Sequence, residues 1–301
     1  MICHRPLSKS FWVSAATAIA VALLTSASAA VDPAEMSAAR ALFDSRKPAE
    51  AQAAFEKLAA IDPKNPGVNH YLGQLANRRN DPEKAIKYFE AAVAVEPNAG
   101  RHHHGLGDAF GRSAQKAGIL SKFGLAKKCL VAYERAVALD PNEVDFRLSL
   151  FEFYRQAPGI AGGGFDKAAA QAAAIKKLDA TRGRIAFATL YIGEKKYDQA
   201  LAEFDEVLRT SPDDFTSLYQ VGKLAAVSGQ FLDRGAASLR RCLELPPPTS
   251  PNTAGHAAAN WRLGLILEKK NDPAGARAAY AAAVKADPNF TPAADALKKL
   301  R

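Results

Sequence analysis

The sequence contains no run in which apolar and polar residues alternate, so nothing in it predicts β-strands. Alanine-rich segments with apolar residues at helical spacing dominate, and we expect an all-α protein. Cysteine is scarce, with 3 in 301 residues. Cys129 and Cys242 both fall where helices would pack, and some three repeats separate them. We therefore expect two small buried side chains rather than a disulfide, a redox pair or a metal site.

Catalytic signatures are missing as well. The chain has no G-x-S-x-G, no H-E-x-x-H and no phosphate loop with G-K-S/T. The glycine-rich stretch at 159–167, GIAGGGFDK, precedes a helix as an anion site would, but it lacks a preceding strand and a hydroxyl residue after Lys167. We interpret it as a flexible turn. The sequence predicts no enzyme, no catalytic residue, no cofactor and no bound metal, although distant residues could still converge into a site.

Residues 1–30 have the features of a secretory signal peptide. Arg5 and Lys9 form a positive start, an apolar run follows at 11–24, and Ala27-Ser28-Ala29 or Ser28-Ala29-Ala30 offers a cleavage site. The alternative is an uncleaved anchor, but the run is shorter than the ~20 apolar residues that a spanning helix needs. We expect cleavage, export to the periplasm and no transmembrane segment in the mature chain.

The mature chain is moderately basic. After removal of residues 1–30, 38 basic and 31 acidic residues remain, a net charge of +7. This charge favours acidic partners or anionic envelope surfaces. It is too small and too dispersed to indicate nucleic-acid binding.

One segment recurs in altered form along the chain. In Tyr71–Asn98, YLGQLANRRNDPEKAIKYFEAAVAVEPN, a first helix carries Gly73, a second helix begins at Pro82, and Phe89 is followed eight positions later by Pro97. Seven such pairs occur, at spacings of 34, 44, 39, 32, 35 and 41 residues: Phe55/Pro63, Phe89/Pro97, Tyr133/Pro141, Ala172/Ala180, Phe204/Pro212, Leu239/Pro247 and Tyr280/Pro288.

This pattern resembles the tetratricopeptide repeat (TPR) family, in which helix hairpins of about 34 residues stack on one another. The resemblance implies an all-α superhelical solenoid of about seven hairpins with a C-terminal cap helix. The run from His104 to Leu178, with its APG–GG turn, further resembles exported bacterial TPR proteins that have a lengthened third repeat. The expected divisions are a signal peptide at 1–30 and an array at 31–301, with repeats at approximately 32–65, 66–98, 99–142, 143–180, 181–213, 214–248 and 254–290 and the cap at 291–301.

Glycine occupies one first-helix position in four repeats, where a side chain would hold the paired helix away. These residues are Gly73, Gly107, Gly222 and Gly264.

Two insertions fall between the helices of neighbouring repeats, around Arg112–Lys122 in the third and at 157–164 in the fourth. Turns of this type emerge on one edge of a solenoid, so we expect the two insertions to adjoin and to offer a second candidate binding surface. A proline-rich stretch at 246–253 should lie on the opposite edge as a spacer.

The first helices line the concave groove of a TPR solenoid, and we expect a partner to bind there. Carboxylate-clamp TPR proteins have Lys where this chain has His70 and His104, so chaperone tails are disfavoured. Arginines would anchor acidic groups and two aromatics would supply apolar contact. The candidate residues are His70, Gln74, Asn77, Arg101, His104, Asp108, Glu152, Arg155, Arg182, Tyr219, Lys223 and Trp261.

A run of three histidines begins the third repeat. Consecutive helical residues point about 100° apart, so His102, His103 and His104 cannot jointly hold one metal. The expected register packs His103 inward and turns His104 into the groove, where it could meet His70 and Asp108.

The sequence thus predicts a non-enzymatic scaffold of the bacterial cell envelope that binds an acidic or mixed protein or peptide segment in the groove. Two alternatives stay open. The array could be a structural subunit of an envelope assembly or export complex, or a ligand or metal carrier that uses the histidine-rich groove.

Overall fold

The computed structural model describes Met1 and residues 30–248 and 255–300. The predicted signal peptide lies almost wholly outside the described residues, as does the proline-rich spacer beyond Pro248. Among the described residues every regular element is helical and none is a strand. No helix of this part is long and apolar enough to cross a membrane.

Fifteen α-helices in the described residues form seven hairpins and a final single helix, which confirms the predicted all-α solenoid. Each helix packs on the next, and the first helices of several neighbouring hairpins also touch. The hairpins are α1 (Pro33–Asp44) with α2 (Pro48–Ile61), α3 (Pro66–Arg78) with α4 (Pro82–Val95), α5 (Gly100–Lys116) with α6 (Ile119–Leu139), α7 (Val144–Gln156) with α8 (Phe165–Leu178), α9 (Ala180–Gly193) with α10 (Tyr197–Thr210), α11 (Phe215–Ser228) with α12 (Leu232–Glu244), and α13 (His256–Lys269) with α14 (Pro273–Ala286); the last helix is α15 (Thr291–Lys299).

The turn inside a regular hairpin follows from three residues. Asn80 adopts the left-handed conformation with φ of 60°, which asparagine tolerates. Asp81 then caps α4, its carboxylate accepting the backbone N–H of Lys84 at 3.2 Å. Pro82 occupies the first helical position, where its missing N–H costs nothing. The turn before α14 repeats this arrangement.

Close contact between the two helices of a hairpin explains the recurring glycine. A Cβ added at Gly73 would lie 2.8 Å from the ring of Phe89, and one at Gly264 would lie 2.3 Å from the ring of Tyr280. Both rings are fully buried. The glycine therefore lets an aromatic ring of the second helix rest directly on the backbone of the first.

The extra residues of the third hairpin are helical, contrary to the expectation of an insertion between its helices. α5 has 17 residues and α6 has 21, whereas α3 and α4 have 13 and 14. Only Ala117 and Gly118 separate the two long helices. The apolar residues just after this break continue the helical period of α6, so the chain extends the hairpin instead of forming a loop.

The fourth hairpin has a 3-10 turn at Gly159–Ala161 before α8. A Cβ at Gly162 would lie 2.6 Å from Leu130 of α6. Ile119 and Lys122 line the same cavity as Pro158, so the two extra segments adjoin as predicted. The amides of the glycine run are already used: Gly163 N–H donates to the Pro158 carbonyl at 3.2 Å, and Gly164 N–H donates to the Tyr154 carbonyl at 2.8 Å. Internal hydrogen bonds hold this turn, and those two donors are not free for an anion.

Cys129 and Cys242 are both buried and unpaired, as expected. Burial raises the pKa of each thiol to about 12, so both are neutral at physiological pH.

Gly264→Ala should destabilise the protein by about 1–3 kcal/mol, because the added Cβ would overlap the ring of Tyr280. The ring cannot easily move away, since its hydroxyl donates to Glu268 at 2.5 Å. Chemical denaturation of both proteins measures the difference. Gly193→Ala is the matched control, because no atom lies within 4 Å of its added Cβ. Equal effects of the two substitutions would contradict the packing.

Candidate functional site

Six of the twelve predicted groove residues surround one cavity. The cavity has a volume of about 280 Å³ and lies between α3 and α5, with the start of α7 closing one side. We refer to it as the polar pocket. The predicted residues that line it are His70, Gln74, Asn77, Arg101, His104 and Asp108, and the sequence reasoning missed Arg78, Phe89, Gly105, Arg112 and Phe146.

Asn77 has an unsatisfied acceptor in this pocket. Its side chain is only 8% exposed, and its Oδ1 is buried without a hydrogen-bond partner among the described residues. A buried carbonyl oxygen left unpaired costs about 1–3 kcal/mol. Three arginines and a single acid, Asp108, are the charged residues in the lining. The lining therefore favours a negatively charged group, and Asn77 Oδ1 could accept an N–H donor only after its side chain turns toward the cavity.

A chain of hydrogen bonds runs from the polar pocket to Glu96 at the C-terminal end of α4. The Gln74 side-chain nitrogen lies 2.8 Å from His70 Nε2, the two histidine Nδ1 atoms of His70 and His102 lie 3.1 Å apart, and His102 Nε2 lies 2.9 Å from Glu96. If the Gln74 amide donates, His70 must carry its proton on Nδ1 and His102 on Nε2. Arg101 closes the chain by donating to the same Glu96 oxygen at 2.8 Å.

Burial keeps both histidines of this chain neutral. Desolvation, aided by the charges of His102, Arg101, His104 and Arg40, lowers the pKa of His70 to about 3. Desolvation also lowers the pKa of His102, although its hydrogen bond to Glu96 opposes the change. The Glu96 pKa is lowered chiefly by the hydrogen bond from His102. Folding thus favours neutral rings beside an ionised carboxylate.

The prediction that His103 packs inward is wrong, because His102 is the fully buried ring of the run. His103 lies near the surface, where its Nε2 is 2.9 Å from the Pro97 carbonyl oxygen. The error corresponds to one residue of register, which is 100° of rotation on α5.

His104 and Asp108 line the pocket as predicted, but other side chains fix both. The His104 ring stacks on Phe146 at 4.7 Å between centroids, and its Nε2 lies 2.8 Å from the Ser149 hydroxyl oxygen. Asp108 accepts the Tyr133 hydroxyl at 2.7 Å. Within residues 30–248 and 255–300 no group of three or more His, Cys, Asp or Glu side chains is placed to hold a metal ion.

The three arginines expected to anchor an acidic partner are already ion-paired. Arg155 donates to Glu152 at 2.6 Å, and Arg182 is paired with Asp145 of the preceding repeat. Arg101 is held by Glu96. An incoming carboxylate would have to compete with these partners, which sequence spacing alone did not reveal.

Lys223 and Arg262 add positive charge in the sixth and seventh hairpins. The pKa of Lys223 is lowered by burial first and then by the fields of Arg262 and Arg155, so these three cations lie within reach of one another. The Arg262 guanidinium lies 4.2 Å from the centroid of Trp261, and its Nε is buried without a hydrogen-bond partner in the described residues. Trp261 also packs edge-on against Phe290, and Tyr219 is half-buried against the same core.

A second cavity lies beside the polar pocket, at the edge where the two extra segments meet, which the sequence analysis named as a second candidate binding surface. It has a volume of about 830 Å³ and is enclosed by the extended parts of α5 and α6, by α7 and by the 3-10 turn. We refer to it as the apolar pocket. Two signals could have revealed it: the absence of any acidic residue from 109 to 133, and the exposed apolar residues that follow Gly118.

Comparison with known proteins agrees with this geometry. Residues 42–107 and residues 223–289 each match a family model described as tetratricopeptide repeat. Both segments are therefore TPR units, and the whole described chain has the fold of a TPR solenoid. No protein with a curated description matches the sequence.

Solved structures share this fold at low sequence identity. A TPR protein from Parabacteroides merdae is 15% identical with a TM-score of 0.63, over 89% of this chain and 97% of that one. Yeast Tom70 is 16% identical with a TM-score of 0.62, over 84% of this chain and 51% of its own. A human IFIT1 dimer with m7Gppp-AAAA is 17% identical with a TM-score of 0.61, over 88% of this chain and 62% of its own.

The protein should lose stability as the pH falls from 7.5 to 5. The unfolded His70 binds a proton near pH 6.5, whereas the folded one does so only near pH 3, so acid favours unfolding across this window. His70 alone should account for about 2 kcal/mol of that loss. Denaturation at both pH values should show a smaller loss in His70→Gln. His103→Gln is the control, and an equal reduction there would contradict the assignment.

Proposed function

We propose that this protein is a non-enzymatic scaffold that binds an extended protein or peptide segment along its concave groove. The observation that carries the proposal is the buried, unpartnered Oδ1 of Asn77 inside the polar pocket. Native proteins rarely leave such an atom unsatisfied without a reason. An extended peptide presents backbone N–H groups that are free to donate, and rotation of the Asn77 side chain toward the cavity would bring this oxygen to such a donor.

The charges of the groove favour an acidic or mixed segment. Arg112 lines the polar pocket, and Lys223 and Arg262 lie along the same concave side without a carboxylate partner among the described side chains. Trp261 and Tyr219 offer apolar surface near these cations. The mechanism is passive: a preformed surface orders the partner, and little of the binding free energy is spent on rearranging the scaffold.

A fixed subunit role in a larger assembly would use the same surface. The fold alone does not separate the two roles, since helical repeat arrays are built to bind other proteins. Salt dependence separates them: capture of a charged peptide weakens as ionic strength rises, whereas a large apolar subunit interface survives high salt.

Asn77→Leu should weaken peptide binding about tenfold while leaving the melting temperature unchanged or raised. The substitution removes an unsatisfied buried acceptor, which the folded state does not need and the ligand does. A fluorescent peptide selected from a displayed library rich in Asp and Glu would report affinity by anisotropy.

Asn69→Leu in the same helix is the matched control. Asn69 is equally buried, but its Nδ2 donates to the carbonyls of Pro63 and Asn65 at 2.9 Å each. This control should lose stability and keep its affinity for the peptide. If Asn77→Leu instead lowers stability and leaves binding intact, Asn77 is structural and the proposal fails.

We further propose that the chain is exported through the signal-like residues 1–30 and acts in the cell envelope. The support is the order of a positive start, an apolar run and small residues at 27–30. N-terminal sequencing of the protein recovered from the periplasm of a bacterial host should begin at residue 30 or 31. Protein that begins at Met1, or that stays in the cytoplasm, would contradict export.

A further inference from the structure

The apolar pocket has the size and walls of a small-molecule site. Its volume of about 830 Å³ lies within the range of ~300–1,000 Å³ that is usual for ligand cavities. Phe123 and Ala126 of α6 form one wall, Leu148 and Phe153 of α7 form another, and Pro158 closes the end. This enclosure depends on the extended third hairpin, because the α6 residues that line it begin at Ile119.

The polar groups in the lining are nearly all satisfied from within the protein. Glu152 accepts Arg155 at 2.6 Å and Gln156 at 2.8 Å. The Tyr133 hydroxyl donates to Asp108, and burial raises the pKa of the Cys129 thiol to about 12, so this thiol is neutral. Lys122 is the lining cation, and no described carboxylate pairs with it.

The surroundings are positively charged and apolar. Between residues 109 and 133 the chain has five basic residues and no acidic one. Ile119 is 78% exposed and Leu120 is 94% exposed, beside the mouth of the pocket. Such exposed apolar side chains next to an apolar cavity commonly mark a binding site. A second copy of this surface would bring like charges together, which disfavours self-association here.

We propose that the apolar pocket binds a single-chain anionic amphiphile, such as a long-chain carboxylate or alkyl phosphate. The alkyl chain lies between α6 and α7, and the negative head lies at Lys122. One apolar peptide side chain would fill only part of the cavity, whereas an acyl chain of ten to sixteen carbons, at about 0.8 kcal/mol per buried CH₂, gains from its whole length. This site is separate from the polar pocket, so its test is independent of peptide binding.

Displacement of a fluorescent fatty acid tests the proposal directly. The full mature chain is mixed with 11-(dansylamino)undecanoic acid, and dodecanoate, dodecyl phosphate and dodecyltrimethylammonium are then added below their micellar concentrations. Fluorescence should rise on probe binding, and either anion should reverse the rise. The cation has the same chain and should displace the probe at least tenfold less well. Failure of both anions, or equal displacement by the cation, would overturn the proposal.

Two charge reversals on one helix locate the head group. Lys122→Glu should weaken probe binding at least tenfold, because Lys122 lines the apolar pocket. Lys127→Glu makes the same change on the other side of α6, where Lys127 lines a different depression, and should leave binding within twofold. Equal losses would indicate a general charge effect and contradict the site.

A second variant tests the site by blocking the apolar pocket with a large side chain. Ala126→Trp places a large ring in the cavity and should abolish probe binding, while circular dichroism shows whether the helices are retained. If this variant does not fold, comparison of Lys122→Glu with Lys127→Glu still tests whether the probe binds in the apolar pocket. A folded Ala126→Trp protein that binds the probe normally would overturn the assignment to this pocket.

Discussion

The architecture depends on one repeated contact, in which a large side chain of the second helix rests on a small residue of the first. Phe89 on Gly73 and Tyr280 on Gly264 show it in its simplest form. The fifth hairpin uses Ala188 with Phe204, and both are fully buried. The fourth hairpin reverses the sizes: Phe151 is in the first helix and Ala172 in the second, within one buried cluster. Phe151 and Ala172 together have a volume similar to that of the pair in the other hairpins. The fourth repeat can therefore stack like its neighbours although its second helix lacks the large residue.

The periodicity of this contact explains why the fold could be predicted. Six large residues and Ala172, each followed eight positions later by a proline or by Ala180, predicted seven hairpins, because helix spacing fixes which residues meet. The same spacing grouped six residues that the structure brings around the polar pocket. It failed at His102, because the start of α5 was uncertain by one residue. It also failed around 112–122, where apolar residues at helical spacing lengthened two helices.

The remaining features of the site arise from contacts between repeats, which spacing within a repeat cannot show. Arg182 pairs with Asp145 from the previous repeat, and His104 meets Ser149 and Phe146 from the next. These contacts determine which groove cations are free and which polar atoms lack a partner. The apolar pocket is likewise built by four successive elements, α5, α6, α7 and the 3-10 turn, which belong to two neighbouring repeats. The absence of acidic residues and the exposed apolar residues indicate a cavity only when the extended lengths of α5 and α6 are known.

The central claim is that a partner lies along the first helices, and hydrogen–deuterium exchange with and without a bound peptide tests it most directly. We expect slower exchange in α3 and α5, whose residues line the polar pocket, with α10 and α14 unchanged. Slower exchange confined to the second helices, with α3 and α5 unaffected, would contradict the account and move the partner to the outer face of the solenoid.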